Sequence, residues 1–286
     1  MMGGNGPNTN EVGRVERPNW APGDIDLERP SVARVYDYYL GGAHNFAADR
    51  AVAQQTLEMM PDLRRIVLNH RAFLGRAVRY LLGRGVRQFL DLGSGIPTVG
   101  NVHEIAQSVD PAAKVVYVDL DPVAVAHSRS LLDGDERVNV LQADVRDPVS
   151  VLASPEVNDL LDLDEPIGVL MIALLHFVSD DENPAGIIGG YRDRLAPGSF
   201  LVVSHSGYEA DEETPELREV RTVYEKAVTR TTLRNKAELT RLFDGFELVE
   251  PGVVRLPAWR PESPEHPDAS GRPFPGFCAV GRKAQR

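Results

Sequence analysis

Cysteine is nearly missing from this 286-residue chain: Cys278 stands alone, so no intrachain disulfide can form and a cysteine-built metal site is excluded. Histidine is sparse as well, and its seven copies include no HxxxH or HExxH spacing, which leaves metal catalysis without support in the sequence. Long apolar runs are absent too. Nothing approaches the roughly 18 consecutive apolar residues of a membrane-spanning helix, and no charged and then apolar leader opens the sequence. Positive charge is in deficit, with 31 Lys and Arg against 42 Asp and Glu and a net charge of -11. Such a surface repels phosphate backbones and anionic lipid, which argues against nucleic-acid and membrane partners. No internal repeat is visible. The expectation from these absences is a cytoplasmic protein.

What is present is enough apolar content, 42%, to bury a large core. Residues 1–30 are rich in Gly, Pro, Asn and charge, which reads as a flexible tail or a strap. Pro30-Ser31 then looks like a helix entry, and Val32, Val35, Tyr36, Tyr39 and Leu40 recur at helical spacing until Gly41-Gly42. Two further helical regions follow, over about 46–60 and from Pro61 to about 82, so that 31–85 reads as a helical cap ahead of every strand. From residue 86 onward, five Val/Ile/Leu-rich runs alternate with helices or long connections: RQFLDLG, KVVYVDLD, RVNVLQAD, IGVLMIALLH and GSFLVVSH. This is the pattern of a mostly parallel sheet covered on both faces, an α/β fold. Two later runs, GFELVEPGVV and GFCAVGRK, have no clear helix between them and fit antiparallel pairing.

Ligands of such sheets bind beyond the carboxyl ends of the strands. The first run ends in Asp91-Leu92-Gly93-Ser94-Gly95, whose glycines allow close backbone approach. The second ends in Asp119-Leu120-Asp121-Pro122, and Asp119 lies 24 residues past Gly95, as expected of a carboxylate gripping ribose hydroxyls. Asp121 before Pro122 has a second reading as a helix N-cap. The third ends in Gln142-Ala143-Asp144. Any one of these acids alone is more ordinarily a cap or turn residue; in this order they favour a nucleoside site. Thr98 occupies the position where a dinucleotide loop needs its third glycine. Asp91 at the loop mouth repels a pyrophosphate and suits a cationic ammonium or sulfonium.

The segments FLDLGSGIPT, VVYVDLDPVAVAHS, ADVRDP and LLHFVSDDENP, with PSVARVYDYYLGGAHNFAADR ahead of them, resemble a largely uncharacterised bacterial S-adenosyl methyltransferase family of the class I, Rossmann-like type. The resemblance runs from about residue 28 to the C-terminus. It implies S-adenosyl-L-methionine as cofactor and a seven-stranded, mostly parallel sheet with an antiparallel C-terminal strand, formed by residues 86–286. By the same resemblance Asp91, Gly93, Ser94 and Gly95 lie against the methionine part and Asp119 binds the ribose. Leu120 and Asp121 flank the adenine, Asp144 contacts its amino group with Val145 beside it, and Leu174 borders cofactor and acceptor. Pro97 departs from the small residue usual in this loop.

Methyl transfer mainly requires alignment, and an acceptor that carries a proton also needs a base. His176 and His205, each ending a strand run, are the catalytic candidates, although a histidine at a strand end is more often a hydrogen-bonded wall residue. Tyr36, Tyr39 and Asn45 are candidate contacts to a small-molecule substrate, and a charged helical segment over about 207–234 is a candidate lid carrying Arg221, Tyr224 and Arg234. Two alternatives to a small-molecule methyltransferase stand beside it: a nicotinamide-dependent oxidoreductase and a non-catalytic S-adenosylmethionine-binding regulatory module. Oligomeric state is not legible in the sequence.

Overall fold

Apolar residues that recur every three or four positions form helices, and the continuous β-branched runs form buried strands. The structure, a computed structural model, describes residues 23, 25–98, 100–262 and 274–284. The expected tail over 1–30 lies outside the described residues except at 23 and 25–30. Three helices lead: α1 (Val32–Tyr39), α2 (Ala47–Met59) and α3 (Leu63–Gly83). Ser31 caps α1, its hydroxyl accepting from the Arg34 amide at 3.3 Å.

The alternating part follows as β1 (Gln88–Leu92), α4 (Val102–Val109), β2 (Lys114–Asp119), α5 (Pro122–Leu131) and β3 (Val138–Gln142). Short helices α6 (Pro148–Ala153) and α7 (Pro155–Asn158) lead to β4 (Ile167–Ile172), α8 (Pro184–Arg194) and β5 (Phe200–His205). The chain closes with α9 (Pro215–Ala227), α10 (Lys236–Arg241), β6 (Phe246–Leu248), β7 (Val254–Arg255) and β8 (Phe277–Lys283). Strand order is β3-β2-β1-β4-β5-β8-β6, with β7 paired to β8. Strands β1 to β5 are parallel, and β8 runs antiparallel to β5, β6 and β7.

The sheet has eight strands where seven were expected. The single run GFELVEPGVV divides into β6 and β7, because Pro251 has no amide for a ladder and Gly252, at φ 79°, turns the chain with its amide bonded to the Val249 carbonyl at 2.8 Å. Helix α3, read from sequence as part of a cap, packs Phe73, Leu74, Ala77 and Leu81 into one core with Phe89, Val115 and Val202 of the sheet. The opposite face is covered by α6, α8 and α10, through residues such as Leu152, Ile188 and Leu239. Successive strands step outward from β1 on one side and from β4 on the other, so the order reverses between β1 and β4. A crevice opens there beyond the strand ends.

Candidate active site

A cleft of about 600 Å³ occupies that crevice, and all ten residues that the sequence assigns to the cofactor line it. After Leu92 the chain turns at Gly93 and Gly95, with φ of 69° and 66°, values that residues with a side chain rarely adopt. A Cβ on Gly93 would sit 2.6 Å from the Leu174 Cδ1, so the loops after β1 and β4 touch at that point. The Gly95 amide donates to Asp119 Oδ2 at 2.7 Å and the Asp121 amide to Asp119 Oδ1 at 2.8 Å. The carboxylate is thereby aimed by the loop, and each oxygen keeps a further lone pair for a ligand hydroxyl.

Burial pushes the Asp91 carboxyl up to about 7 against the opposing pull of the Arg71 guanidinium, and pushes Asp119 up to about 6 despite its amide donors. Two acids held above the ordinary carboxylate range disfavour an anionic guest and favour a cationic one. Arg71 on α3, which the sequence reading missed, lines the same cleft and donates through Nη2 to the Gly100 carbonyl at 2.8 Å. Leu120 stands 58% exposed in the wall, an apolar surface at the end of β2. Asp144 is gripped by Arg146, Nη2 to Oδ2 at 2.6 Å and Nε to Oδ1 at 2.9 Å, which holds its carboxyl below the usual range. Val145 turns its carbonyl toward Tyr191, whose hydroxyl donates to it at 2.9 Å.

Asp121 serves both as cap and as anchor. Its Oδ1 accepts from the Val123 and Ala124 amides at 2.8 and 3.3 Å, capping α5, while its Oδ2 accepts from the Ser31 hydroxyl and from Arg34 Nη1. Arg34, another residue the sequence reading missed, is buried and also donates to Asp49 Oδ2 at 2.9 Å and to the Arg29 carbonyl. Ile25 and Phe46 pack with Ile96, Val123 and Ala124 beneath this network. Residues 25–36 therefore form a strap along the cleft, tied down by a buried cation between two acids.

A second cavity, a chamber of about 180 Å³, lies beside the cleft. Tyr36, Tyr39 and His176 line it, as do Arg221 and Tyr224 from α9. Tyr39 shares a hydrogen bond of 2.6 Å with the Thr56 hydroxyl, and burial pushes both Tyr36 and Tyr39 up to about 12. His176 is buried with its ring 4.2 Å from that of Phe177; its Nδ1 lies 3.5 Å from the Ser206 amide, and its Nε2 bonds no described residue. Burial holds it well below the ordinary histidine range, so the ring is neutral at pH 7.

The other candidates lie elsewhere. His205 lines neither cavity: Arg234 Nη1 donates to its Nε2 at 2.9 Å and its Nδ1 donates to the Ser206 carbonyl at 2.6 Å, so both ring nitrogens are used inside the protein. Arg234 is likewise internal, donating to the Leu175 and Val178 carbonyls and to Asp180. Asn45 also lines neither cavity and holds its own turn, donating to Asp37 Oδ2 at 2.8 Å and to the Gly42 carbonyl at 3.0 Å.

Cleft and chamber share four wall residues, Val32, Tyr36, Ala173 and Phe177. Ala173 holds φ at 51°, a left-handed conformation costly to a residue with a Cβ, and its amide is held by the carbonyl and hydroxyl of Ser204, each at 3.0 Å. Backbone strain of this kind concentrates at functional sites.

A family model described as S-adenosyl methyltransferase matches residues 18–284. The chain belongs to that family. Its fold superposes on a candidate methyltransferase from Thermobifida fusca with TM-score 0.87 and 40% identity, covering 94% of this chain and 100% of that one. A DUF574-family protein from Streptomyces avermitilis matches at TM-score 0.84 and 38% identity, over 90% of this chain and 99% of that one. Human N-acetylserotonin methyltransferase, solved in complex with S-adenosylmethionine, shares the fold at TM-score 0.50 and 16% identity, over 90% of this chain and 64% of that one. No curated protein matches the sequence. This S-adenosyl methyltransferase has the Rossmann-like, mostly parallel sheet of its relatives, and its cofactor is S-adenosylmethionine. The cleft fits that cofactor: a sulfonium and an ammonium suit Asp91, two vicinal hydroxyls suit the doubly aimed Asp119, and the Cβ-free space at Gly95 lets a ligand meet bare backbone. No helix among the described residues is long and apolar enough to cross a membrane.

Proposed function

We propose that this methyltransferase transfers a methyl group to a small-molecule acceptor seated in the chamber, while S-adenosylmethionine occupies the cleft. The observation that carries the reading is the shared wall of Val32, Tyr36, Ala173 and Phe177, which sets two cavities of unlike chemistry edge to edge. In the cleft, Asp119 takes the ribose hydroxyls and Leu120 and Val145 take the faces of the adenine. Asp144 stands at the adenine edge, sharing its oxygens with Arg146. Asp91 and Arg71 take the charged methionine end, the acid toward its cation and the guanidinium toward its carboxylate. Asp121 acts through the strap, holding Ser31 and Arg34 rather than the ligand.

S-adenosylmethionine supplies the methyl group and, as a sulfonium, its own leaving-group driving force. The protein's part is alignment, which reaches about 7 to 11 kcal/mol for well-oriented groups. Tyr36 and Phe177 form the partition across which an acceptor is aimed, and the strap and α9 keep water out. His176 is the residue placed to accept a proton from the acceptor; His205, with both nitrogens bonded, stiffens the wall behind it.

A thermal-shift titration in parallel with S-adenosylmethionine, S-adenosylhomocysteine, NADH and ATP tests the cofactor half. A ligand at about 100 times its dissociation constant adds roughly 2.7 kcal/mol to the folded state, a shift of several degrees at this size. Shifts with the two sulfur nucleosides alone are expected; a shift with NADH alone contradicts the reading.

A further inference from the structure

The chamber restricts what the acceptor can be, and this inference rests on the function proposed above. Its size sets the first limit. An engineered apolar cavity of about 150 Å³ accommodates benzene, so a chamber of about 180 Å³ takes one ring and its small substituents. Charge sets the second. Among the described residues its lining contains no Asp or Glu and a single arginine, Arg221, which is already paired with Glu213 at 3.4 Å and Glu225 at 4.0 Å. A buried ammonium would find no counter-ion there, which costs several kcal/mol.

The walls set the third limit. Tyr36, Tyr39, Phe177 and Tyr224 present aromatic surface to the interior, with Phe177 and Tyr224 stacked at 6.3 Å and 27°. Aromatic guests gain beyond area burial against such rings. One further group matters. The buried His176 ring has a nitrogen open to the chamber. Among the other polar groups of the lining, the Tyr39 and Thr56 hydroxyls bond each other, Tyr208 donates to Glu213 at 2.7 Å, Thr231 donates to Glu225 at 3.1 Å and His70 Nδ1 lies 2.7 Å from the Ser204 hydroxyl.

We infer that the acceptor is an uncharged single-ring phenol, its hydroxyl directed at His176. The phenol oxygen forms a bond to the methyl carbon as the carbon–sulfur bond breaks, and that electron pair stays on sulfur to leave S-adenosylhomocysteine. The phenol proton passes to Nε2 of His176 in the tautomer that carries the ring hydrogen on Nδ1; the Ser206 amide, 3.5 Å from Nδ1, is at the limit of a hydrogen bond and does not hold that nitrogen as an acceptor. A neutral, desolvated imidazole is a weak base. It suits a phenol, with a pKa near 10 as in tyrosine, better than an aliphatic hydroxyl, which is as weak an acid as water.

The test uses the full chain saturated with S-adenosylhomocysteine, so that binding is read without turnover, and follows 4-fluorophenol by ¹⁹F NMR. Saturable binding is expected, on the order of 0.1 to 1 mM for so small a ligand. The cationic 4-fluorobenzylamine and the two-ring 6-fluoro-2-naphthol should each bind at least about tenfold more weakly. Val220→Phe, which fills the chamber from α9, should weaken 4-fluorophenol by at least about tenfold. An unchanged S-adenosylhomocysteine affinity shows that this variant is folded, and Leu217→Phe provides a second filling change should it not be. With S-adenosylmethionine in place of the product, 4-fluoroanisole should form.

Binding of S-adenosylhomocysteine without any saturable 4-fluorophenol signal would overturn the phenol inference and leave the cofactor reading intact. Equal affinity for the benzylamine or the naphthol, or indifference to chamber filling, would overturn it as well. Failure of S-adenosylhomocysteine itself to bind would count against the underlying function.

Discussion

The cleft and the chamber adjoin, yet they are built on opposite principles. The cleft carries the acids and is assembled from consecutive strand ends, with Asp91 next to last in β1, Asp119 ending β2 and Asp144 just after β3. The chamber is apolar and assembled from distant segments: Tyr36 of α1, Thr56 of α2, His70 of α3, His176 after β4 and Tyr224 of α9. A site made by repetition of one local unit leaves a periodic trace in the chain. A site made where five elements converge leaves none. The strap of residues 25–36 belongs to both, because Val32 and Tyr36 face each cavity.

The largest effect is expected where the two regions depend on one residue. Arg34→Ala strands the buried carboxylate of Asp49 and removes a partner of Asp121, and should cost about 3 to 5 kcal/mol of stability in chemical denaturation. It should loosen cleft and chamber together; a loss confined to one of them would break the link assigned to the strap. Asp119→Ala separates the two regions. It should weaken S-adenosylmethionine by about 1 to 3 kcal/mol in calorimetry, the range for stranding hydroxyls without a charged acceptor, while S-adenosylhomocysteine-independent folding stays intact. Unchanged affinity would remove Asp119 from the ribose role.

A smaller effect concerns charge. Asp91 ionises near 3.9 when unfolded but near 7 in the folded cleft, where burial raises it, Arg71 opposes and Asp119 adds to the rise. Its contribution to stability is thus full below about pH 4 and is lost as pH rises through about 7. A cationic ligand reverses the preference. Cofactor affinity should rise between pH 6 and 8 by up to about tenfold, about 1.4 kcal/mol, and Asp91→Asn should flatten that rise; a flat wild-type profile would place the sulfonium and ammonium away from Asp91. The smallest effect lies at the partition. Ala173→Gly relieves the left-handed strain at φ 51° and should stabilise the fold by less than about 1 kcal/mol, a shift of a degree or two.

The same contrast explains what the sequence disclosed. The sheet, the helix caps at Ser31 and Asp121 and the ring of cleft residues follow from short-range patterns. Asn45 reads as a polar group offered to a ligand, but a side chain inside a glycine turn satisfies that turn first, here through Asp37 and Gly42. His205 reads as a base because it ends a strand; the bond that consumes its Nε2 comes from Arg234, 29 residues later, and no local pattern announces it. Arg34 sits within the first helix without a signal, since its acids arrive from Asp49 and Asp121. For Arg71 a trace existed. Beside it His70 interrupts the apolar stripe of Ile66, Phe73 and Ala77 on α3, a polar break where that helix passes under both cavities.

The most direct test of two adjoining cavities with separate duties is calorimetric titration of S-adenosylhomocysteine into the wild type, Asp119→Ala and Val220→Phe. Weakened binding in Asp119→Ala with wild-type affinity in Val220→Phe is the expected result. Equal binding by all three, or a loss confined to Val220→Phe, would contradict the assignment of the cofactor to the cleft.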